Sequence, residues 1–404
     1  MPKLLQINIT ANWGSHGRIA EDIGVLAQEK GWESYIAYGR HANSSQSTLI
    51  KIGNMFDEYI HGIQSRLLDN HGLASKKTTL KLVQEIDRIK PDMIHLHNIH
   101  GYYLNYPILF QYLAKSNIPV VWTLHDCWPI TGHCAYFTYV QCDKWKDGCK
   151  NCNHINTYPI SYLRQRSALN YKCKKESFTQ CKSMTVVPVS RWLADIIDQS
   201  FLNKYPIRMI HNGIDLNVFS GRERQTDILA QYKDKHIILG VNSKWDSRKG
   251  FKDFIKLRNL LDSRYLIVLV GLPEQQIKGL PEGVIGIRRT NNISELADYY
   301  AAATVFVNPT YEDNFPTTNI EAMACGTPVI TYQTGGSPES IVEGKTGFVV
   351  PYGNVEVLAD TIQNLAQSDQ LLTMRETCRQ HSEKFFNKNQ CYQKYFDLYN
   401  TLLH

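Results

Sequence analysis

The 404-residue sequence has no apolar run near the roughly 18 residues that cross a bilayer; its longest candidate is Tyr265 to Leu272. Its opening, Met-Pro-Lys-Leu-Leu-Gln-Ile-Asn-Ile-Thr, lacks the basic flank, long apolar segment and small-residue cleavage site of a secretory signal. A cytoplasmic location is therefore expected. Low-complexity tracts, heptad runs and short repeats are also missing, which argues against fibrous, coiled-coil and solenoid architectures. Nowhere do two aspartates stand one residue apart, so the carboxylate pair that commonly seats a divalent metal against a diphosphate is absent. If a diphosphate leaves, lysines and helix termini must stabilise it. What is present is an ordinary globular composition, 43% hydrophobic and 20% charged, in a chain long enough for two domains of about 200 residues each.

In a reducing compartment the ten cysteines would be thiols, metal ligands or small apolar core residues. Four of them, Cys134, Cys142, Cys149 and Cys152, follow Cys127 in one tract with seven, six and two residues between them. Three readings stand side by side. The four could hold a structural zinc that pins a loop too poor in apolar residues to fold alone, remain free thiols, or form disulfides or an iron–sulfur centre. The net charge of +6 is local: residues 1–200 hold 22 Lys or Arg against 16 Asp or Glu, residues 201–404 hold 22 against 22, and residues 143–182 hold nine against three. This is either a solvated basic face or one that attracts anionic lipid headgroups or a phosphorylated substrate.

Hydrophobic periodicity in the N-terminal half predicts a strand at Lys3 to Ile9, a glycine-containing loop at Asn12 to Arg18 and an amphipathic helix from Ile19 to Lys30. Further strands are expected at Trp32 to Tyr38, Met93 to Leu96, Pro119 to Leu124 and Met184 to Val189, with helices at Leu80 to Ile89, near Tyr106 to Ala114 and after Ser190. A boundary follows near Phe201 to Phe219, and the alternation then repeats through strands at His236 to Val241, Tyr265 to Val270, Thr304 to Asn308, Val329 to Tyr332 and Gly347 to Val350. Val355 to Leu403 reads as helices. Strands separated by helices imply parallel sheets wrapped on both faces, so the fold class is α/β, with two doubly wound Rossmann-like domains facing across a cleft. The expected limits are 1–205, 206–385 and a C-terminal helix, 386–404, packing back on the first domain.

Doubly wound sheets bind ligands beyond the carboxyl ends of their strands. In the first domain those ends carry Thr10 to Arg18 with Gly14 and Gly17, then His97, Asn98 and His100, then His125 and Asp126. Glycines there let a backbone approach a phosphate at a helix N-terminus, although a plain tight turn has the same pattern. In the second domain, Lys244 and Lys249 lie in a loop before a helix, where two point charges can meet a diphosphate; a solvated loop is the plainer reading. Tyr311 to Val329 is the most distinctive stretch. It reads as a loop carrying Asp313, a turn at Pro316, and a short helix with Glu321 on its first turn, seven residues separating the two acids.

Taken in order, Asn12-Trp-Gly-Ser-His-Gly-Arg-Ile, Pro91-Asp-Met-Ile-His-Leu-His-Asn, Leu124-His-Asp, Val189-Ser-Arg-Trp-Leu, His211-Asn-Gly-Ile-Asp, Arg248-Lys-Gly, Asp313 through Val329 and Thr346-Gly-Phe-Val-Val-Pro span nearly the whole chain. In this order the sequence resembles the family-4 retaining glycosyltransferases of the GT-B fold, in particular the bacterial branch that assembles surface polysaccharides. The resemblance implies that Gly14 and Gly17 offer N–H groups near the donor diphosphate, that His125 contacts the transferred sugar, and that Lys249 grips the diphosphate. It implies that Glu321 holds the ribose hydroxyls, and that Asn314, Phe315 and Pro316 belong to the donor loop. Two positions depart from the family. Lys244 stands where arginine is usual, and Asp313 stands where glutamate is usual, with Glu312 one residue out of register.

The implied catalytic residues are His125, Lys249 and Asp313. The donor side comprises Gly14, Gly17, Lys244, Lys249, Asp313 to Pro316 and Glu321, and the acceptor side comprises His97, Asn98, His100 and Asp126. The implied reaction is sugar transfer from a nucleotide-sugar donor, UDP being the preferred nucleotide, to a glycan or lipid-diphosphate-linked acceptor at the inner membrane face. It needs no catalytic cofactor and no metal ion at the diphosphate, and no nucleic-acid partner is expected. The competing readings are a sugar-nucleotide 2-epimerase of similar fold and a zinc-bearing nucleic-acid-binding protein.

Overall fold

β1 (Lys3–Asn8), β4 (Met93–Leu96), β5 (Val120–Leu124) and β6 (Met184–Pro188) are buried along almost their entire lengths. Strands covered on both faces are the mark of a parallel sheet under two helix layers. With β2 (Glu33–Tyr38) and β3 (Thr48–Lys51) they form a six-stranded parallel sheet in the order β3-β2-β1-β4-β5-β6. The helices crossing between them are α1 (Gly14–Glu29), α2 (Met55–Leu68), α3 (Lys76–Ile89), α4 (Tyr106–Lys115) and α5 (Ser167–Phe178), and α6 (Arg191–Asp198) follows the last strand. A second parallel sheet has the order β12-β11-β10-β7-β8-β9, built from β7 (His236–Val241), β8 (Tyr265–Val270), β9 (Val284–Ile287), β10 (Val305–Asn308), β11 (Val329–Tyr332) and β12 (Gly347–Val350). The computed structural model describes residues 1–221 and 231–404. It divides the chain into unit 1, Met1–His211 with Cys391–His404, and unit 2, Asn212–Gln390.

In both sheets the strand order reverses between the first strand and the fourth. The loops after β1 and β4 in unit 1, and after β7 and β10 in unit 2, therefore flank a switch point, where such sheets take ligands. The helix Lys388–Leu403 buries Cys391, Tyr392, Tyr395, Phe396 and Tyr399 against Leu4, Ile23, Trp32, Met93 and Val121, all within unit 1.

In unit 1 four elements differ from the sequence expectations. α1 starts at Gly14 instead of Ile19, so Gly14 and Gly17 lie in a helical turn and not in a loop. β3 and α2 were not expected, because β3 is a four-residue edge strand exposed at both ends and α2 buries only His61 and Ser65. α5 was missed for a similar reason: its buried residues are mostly polar, Ser167, Asn170, Lys174 and Ser177.

Candidate active site

In unit 2 the turn Ser247–Lys249 follows β7 and the segment 309–316 follows β10, which brings their side chains to one switch point. Lys249 Nζ lies 2.6 Å from Asp313 Oδ2, 3.2 Å from the Glu312 carbonyl and 3.4 Å from Thr310 Oγ1. One residue earlier on each side stands a second ion pair, Arg248 Nη1 to Glu312 Oε1 at 2.7 Å, with Arg248 Nη2 also on Asp246 Oδ2 at 2.9 Å. The two acids divide the work by exposure. The Glu312 side chain is 5% exposed and committed to Arg248, whereas that of Asp313 is 19% exposed and reaches the part-exposed ammonium. Burial works against the Arg248 charge, but the Glu312 and Asp246 carboxylates outweigh it and raise the guanidinium pKa further.

The loop enters the helix Thr317–Ala324 through Pro316 as N-cap, with no side-chain cap bond. Asn314 Nα–H donates to Asp313 Oδ1 at 3.0 Å, which orients the carboxylate. Asn314 and Phe315 are buried, so they shape the loop from beneath. Glu321 is the fifth residue of that helix, in its second turn and not its first, and accepts a hydrogen bond from Tyr300 Oη at 3.0 Å. Lys244 is exposed, its backbone N–H donating to Asn242 Oδ1 at 3.3 Å.

In unit 1 the crevice is rich in imidazole. His97, Asn98, His100, His125 and Asp126 share the lining of a pocket of ≈ 200 Å³ with Trp122 and Trp128. Gln6 Nε2 donates to the Ala20 carbonyl at 2.7 Å, which turns Gln6 Oε1 toward His97 Nε2 at 2.9 Å. His97 must then donate from Nε2 and accept at Nδ1, where His125 Nε2 stands 3.4 Å away. The chain of donors thus fixes His125 as the Nε2–H tautomer with a lone pair on Nδ1. Burial, then the neighbouring histidines, holds both imidazoles well below the usual histidine pKa, so both are neutral at pH 7. His16, 5.7 Å from His125 between ring centroids, is lowered to about 4, again first by burial.

His100 Nε2 donates to Asp126 Oδ2 at 2.8 Å and the Trp128 N–H to Asp126 Oδ1 at 2.9 Å. Burial raises the Asp126 pKa, but His100 and that N–H outweigh it, and the carboxyl is held below its usual value. Gly14 has φ +67° with nothing within 4 Å of where a Cβ would sit, and α1 carries no side-chain N-cap. Its first N–H groups are open to an anion. A Cβ on Gly17 would come within 2.6 Å of Thr10 Oγ1, so glycine there serves close packing.

Cys134, Cys142, Cys149 and Cys152 line one cavity of ≈ 340 Å³ together with His133, His154 and Trp145. The Gly132 N–H donates to Cys149 Sγ at 3.1 Å and the His154 N–H to Cys152 Sγ at 3.4 Å. Burial pushes the Cys149 thiol up to about 11 and raises Cys134 and Cys152 as well. Among the described residues no three of His, Cys, Asp and Glu are set to hold a metal ion. Sequence reasoning missed Lys174 nearby. It is 1% exposed and donates to the carbonyls of Trp128 at 2.6 Å and Thr131 at 2.9 Å, tying α5 to the start of the cysteine loop.

The chain matches the Glycosyltransferase Family 4 domain over residues 18–218 and the Glycosyl transferases group 1 domain over residues 235–368. It is 22% identical over 415 residues to the putative colanic acid biosynthesis glycosyl transferase WcaC of Escherichia coli (strain K12), covering 99% of this chain and 100% of that one. Among solved structures it is similar to the sucrose-phosphate synthase of Thermosynechococcus elongatus, with TM-score 0.74 and 20% identity over 100% of this chain and 99% of that one. It is likewise similar to HepE of Anabaena in complex with UDP-glucose, with TM-score 0.69 and 15% identity over 99% of both. These structural likenesses show a shared two-sheet GT-B fold.

Proposed function

We propose, on the premise that this chain is a GT-B glycosyltransferase built from a family 4 domain followed by a group 1 domain, that it moves a sugar from a UDP-sugar to a glycan or lipid-linked oligosaccharide. The setting would be surface polysaccharide synthesis, with retention at the anomeric carbon. The observation that carries the reading is the Lys249–Asp313 pair at the switch point of unit 2. An ammonium in that place meets the diphosphate of a nucleotide bound beyond the strand ends. UDP is supported by the UDP-glucose complex of HepE, and the polysaccharide setting by the name of the Escherichia coli relative.

In this reading Lys249 exchanges Asp313 for a diphosphate oxygen when the donor binds. The freed Asp313 carboxylate then accepts a sugar hydroxyl, and Glu321, oriented by Tyr300, accepts the ribose hydroxyls. In unit 1, His125 Nδ1 is an acceptor for a substrate hydroxyl and cannot serve as an acid at pH 7. The acceptor hydroxyl attacks the anomeric carbon on the face the diphosphate leaves. The C–O bond to the acceptor forms, the C–O bond to the diphosphate breaks, and the acceptor proton passes to a diphosphate oxygen. The protein contributes position and charge.

The test is a panel of UDP-, GDP- and ADP-sugars incubated with the full chain, following nucleotide release with and without lipid-linked acceptors and the product anomer by NMR. UDP release with an α-linked product from an α-linked donor supports the reading. Release of a 2-epimerised free sugar without any new glycosidic bond would replace it with the epimerase alternative.

A further inference from the structure

Asp126 and His100 begin a hydrogen-bond chain that runs out of the crevice. His100 Nε2 donates to Asp126, so Nδ1 carries the lone pair, and that lone pair faces Tyr158 Oη at 3.3 Å. Burial raises the Tyr158 pKa, so the hydroxyl keeps its proton at pH 7 and donates it to His100. Tyr158 belongs to the long loop between β5 and α5. That loop is turned back by the Ser161 N–H on the Ile155 carbonyl at 2.9 Å and by the Ala135 N–H on the Tyr158 carbonyl at 3.3 Å. The phenol is thus tethered at its hydroxyl while the residue stays 40% exposed.

A second tyrosine stands beside it. Tyr102 has φ +73°, in the left-handed region that residues with a Cβ seldom occupy. Gly101 before it packs against Ile9, and the buried Tyr103 after it donates to the Asn98 carbonyl at 2.8 Å, so the backbone is held there from both sides. The Arg66 guanidinium stands beside the Tyr102 hydroxyl. The two tyrosine rings lie 6.4 Å apart at 75°, forming a corner. Buried His71 meets both edge to face, 4.8 Å from Tyr102 and 5.7 Å from Tyr158. The hydrophobic core of unit 1 takes in Tyr103 and Tyr106 and leaves both corner tyrosines out.

A strained backbone and a tethered hydroxyl therefore fix two rings that the core does not use, next to a pocket lined by His97, Asn98, His100, His125 and Asp126. A pyranose has the complementary form, with hydroxyls around its rim and polarised C–H bonds on its faces, which the negative face of an aromatic ring attracts. We propose that Tyr102 and Tyr158 form a stacking subsite for a pyranose ring of the acceptor. The proposal deepens the sugar-transfer reading and rests on it. It also makes the cysteine-bearing loop, through Tyr158, a determinant of which acceptor is taken.

The test is saturation-transfer NMR of the full chain with methyl β-D-glucopyranoside, whose axial C–H bonds line both ring faces, against glucitol, which has hydroxyls but no ring. The wild type should transfer saturation to the pyranoside ring protons and not to glucitol. Tyr158→Leu and Tyr102→Leu keep apolar bulk without an aromatic face, and each should weaken pyranoside binding about tenfold. Tyr158→Phe keeps the face, loses the bond to His100, and should weaken binding only about threefold. Thermal melts identify a leucine variant that is poorly folded, in which case the other carries the comparison. In transfer assays the acceptor KM of the leucine variants should rise by the same factor, with kcat within about twofold of wild type. Absence of pyranoside binding by the wild type, equal binding of glucitol, or equal binding by wild type and folded leucine variants overturns the proposal. Pyranoside binding that the leucine variants lose, in a protein that transfers no sugar, leaves the subsite standing and sinks the assigned reaction. Transfer with an unchanged acceptor KM in both variants does the reverse.

Discussion

His97 Nδ1 stands 3.4 Å from His125 Nε2, and the proton between them belongs to His125 because Gln6, two residues before the end of β1, takes the other proton of His97. Gln6→Leu removes that acceptor while keeping side-chain bulk. His97 is then free to protonate at Nδ1, and His125 loses its fixed tautomer. Ring ¹⁵N shifts of labelled protein should show His125 as the Nε2–H form in wild type and a tautomer mixture in the variant. A merely structural role for Gln6 would lower the melting temperature and leave those shifts alone.

Lys249→Ala should cost about 10²- to 10³-fold in kcat, because a cation facing developing diphosphate charge acts mainly in the transition state. The pair it leaves is partly open to solvent, so stability should change by less than about 1 kcal/mol. Steady-state kinetics with a soluble donor, alongside thermal melts, separates the two effects. Activity equal to wild type would remove Lys249 from the donor site.

Neighbouring acids should fail differently. Glu312→Gln strands part of the buried Arg248 interaction and should cost about 1–3 kcal/mol of stability. Asp313→Asn should leave the melting temperature nearly unchanged and alter donor KM and sugar preference. Reversal of the two phenotypes would mean that Glu312 faces the substrate.

Acid should unfold unit 1 before unit 2. His16 and His61 are lowered to about 4, and His71, His95, His97 and His125 lie well below 6.5, in each case first through burial. Below pH 6.5 the unfolded chain binds protons that the folded unit refuses, so stability falls as pH drops from 6.5 toward 4. Each such histidine contributes up to about 1.4 kcal/mol per pH unit. Six of the seven tryptophans lie in unit 1, so intrinsic fluorescence melts from pH 7.5 to 4.5 report on it. A melting temperature independent of pH across that window would contradict the buried neutral imidazoles.

The parts of this protein legible in the sequence are those governed by local periodicity. Strand ends at Leu96 and Leu124 place His97 and His125 at the crevice because a buried parallel strand is a short apolar run and the residues after it face the ligand side. α2 and α5 escaped because their buried faces are His61 and Ser65, and Ser167, Asn170 and Lys174, so the apolar stripe that marks a helix is absent or points outward. Which of Glu312 and Asp313 meets Lys249 depends on the twist of a loop and on what Arg248 does one residue away, neither of which has a periodic signal. The hydrogen-bond chain from Ala20 through Gln6 and His97 to His125 links residues up to 119 positions apart in number and exists only once the sheet has formed.

Tyr395 and Tyr399 close the underside of the first sheet, Tyr395 Oη accepting from Thr123 Oγ1 at 3.0 Å and Tyr399 Oη meeting His95 Nδ1 at 2.6 Å. During synthesis this reverses the order in which the two halves mature. Unit 2 has all its residues once Gln390 has been added, while the half begun first keeps an open apolar floor until the closing helix emerges. The interval in which that floor is bare spans the translation of the whole second unit, and it is the period of greatest exposure to aggregation and chaperone capture. A premature stop just before Cys391 would spare the later-made half and condemn the earlier one.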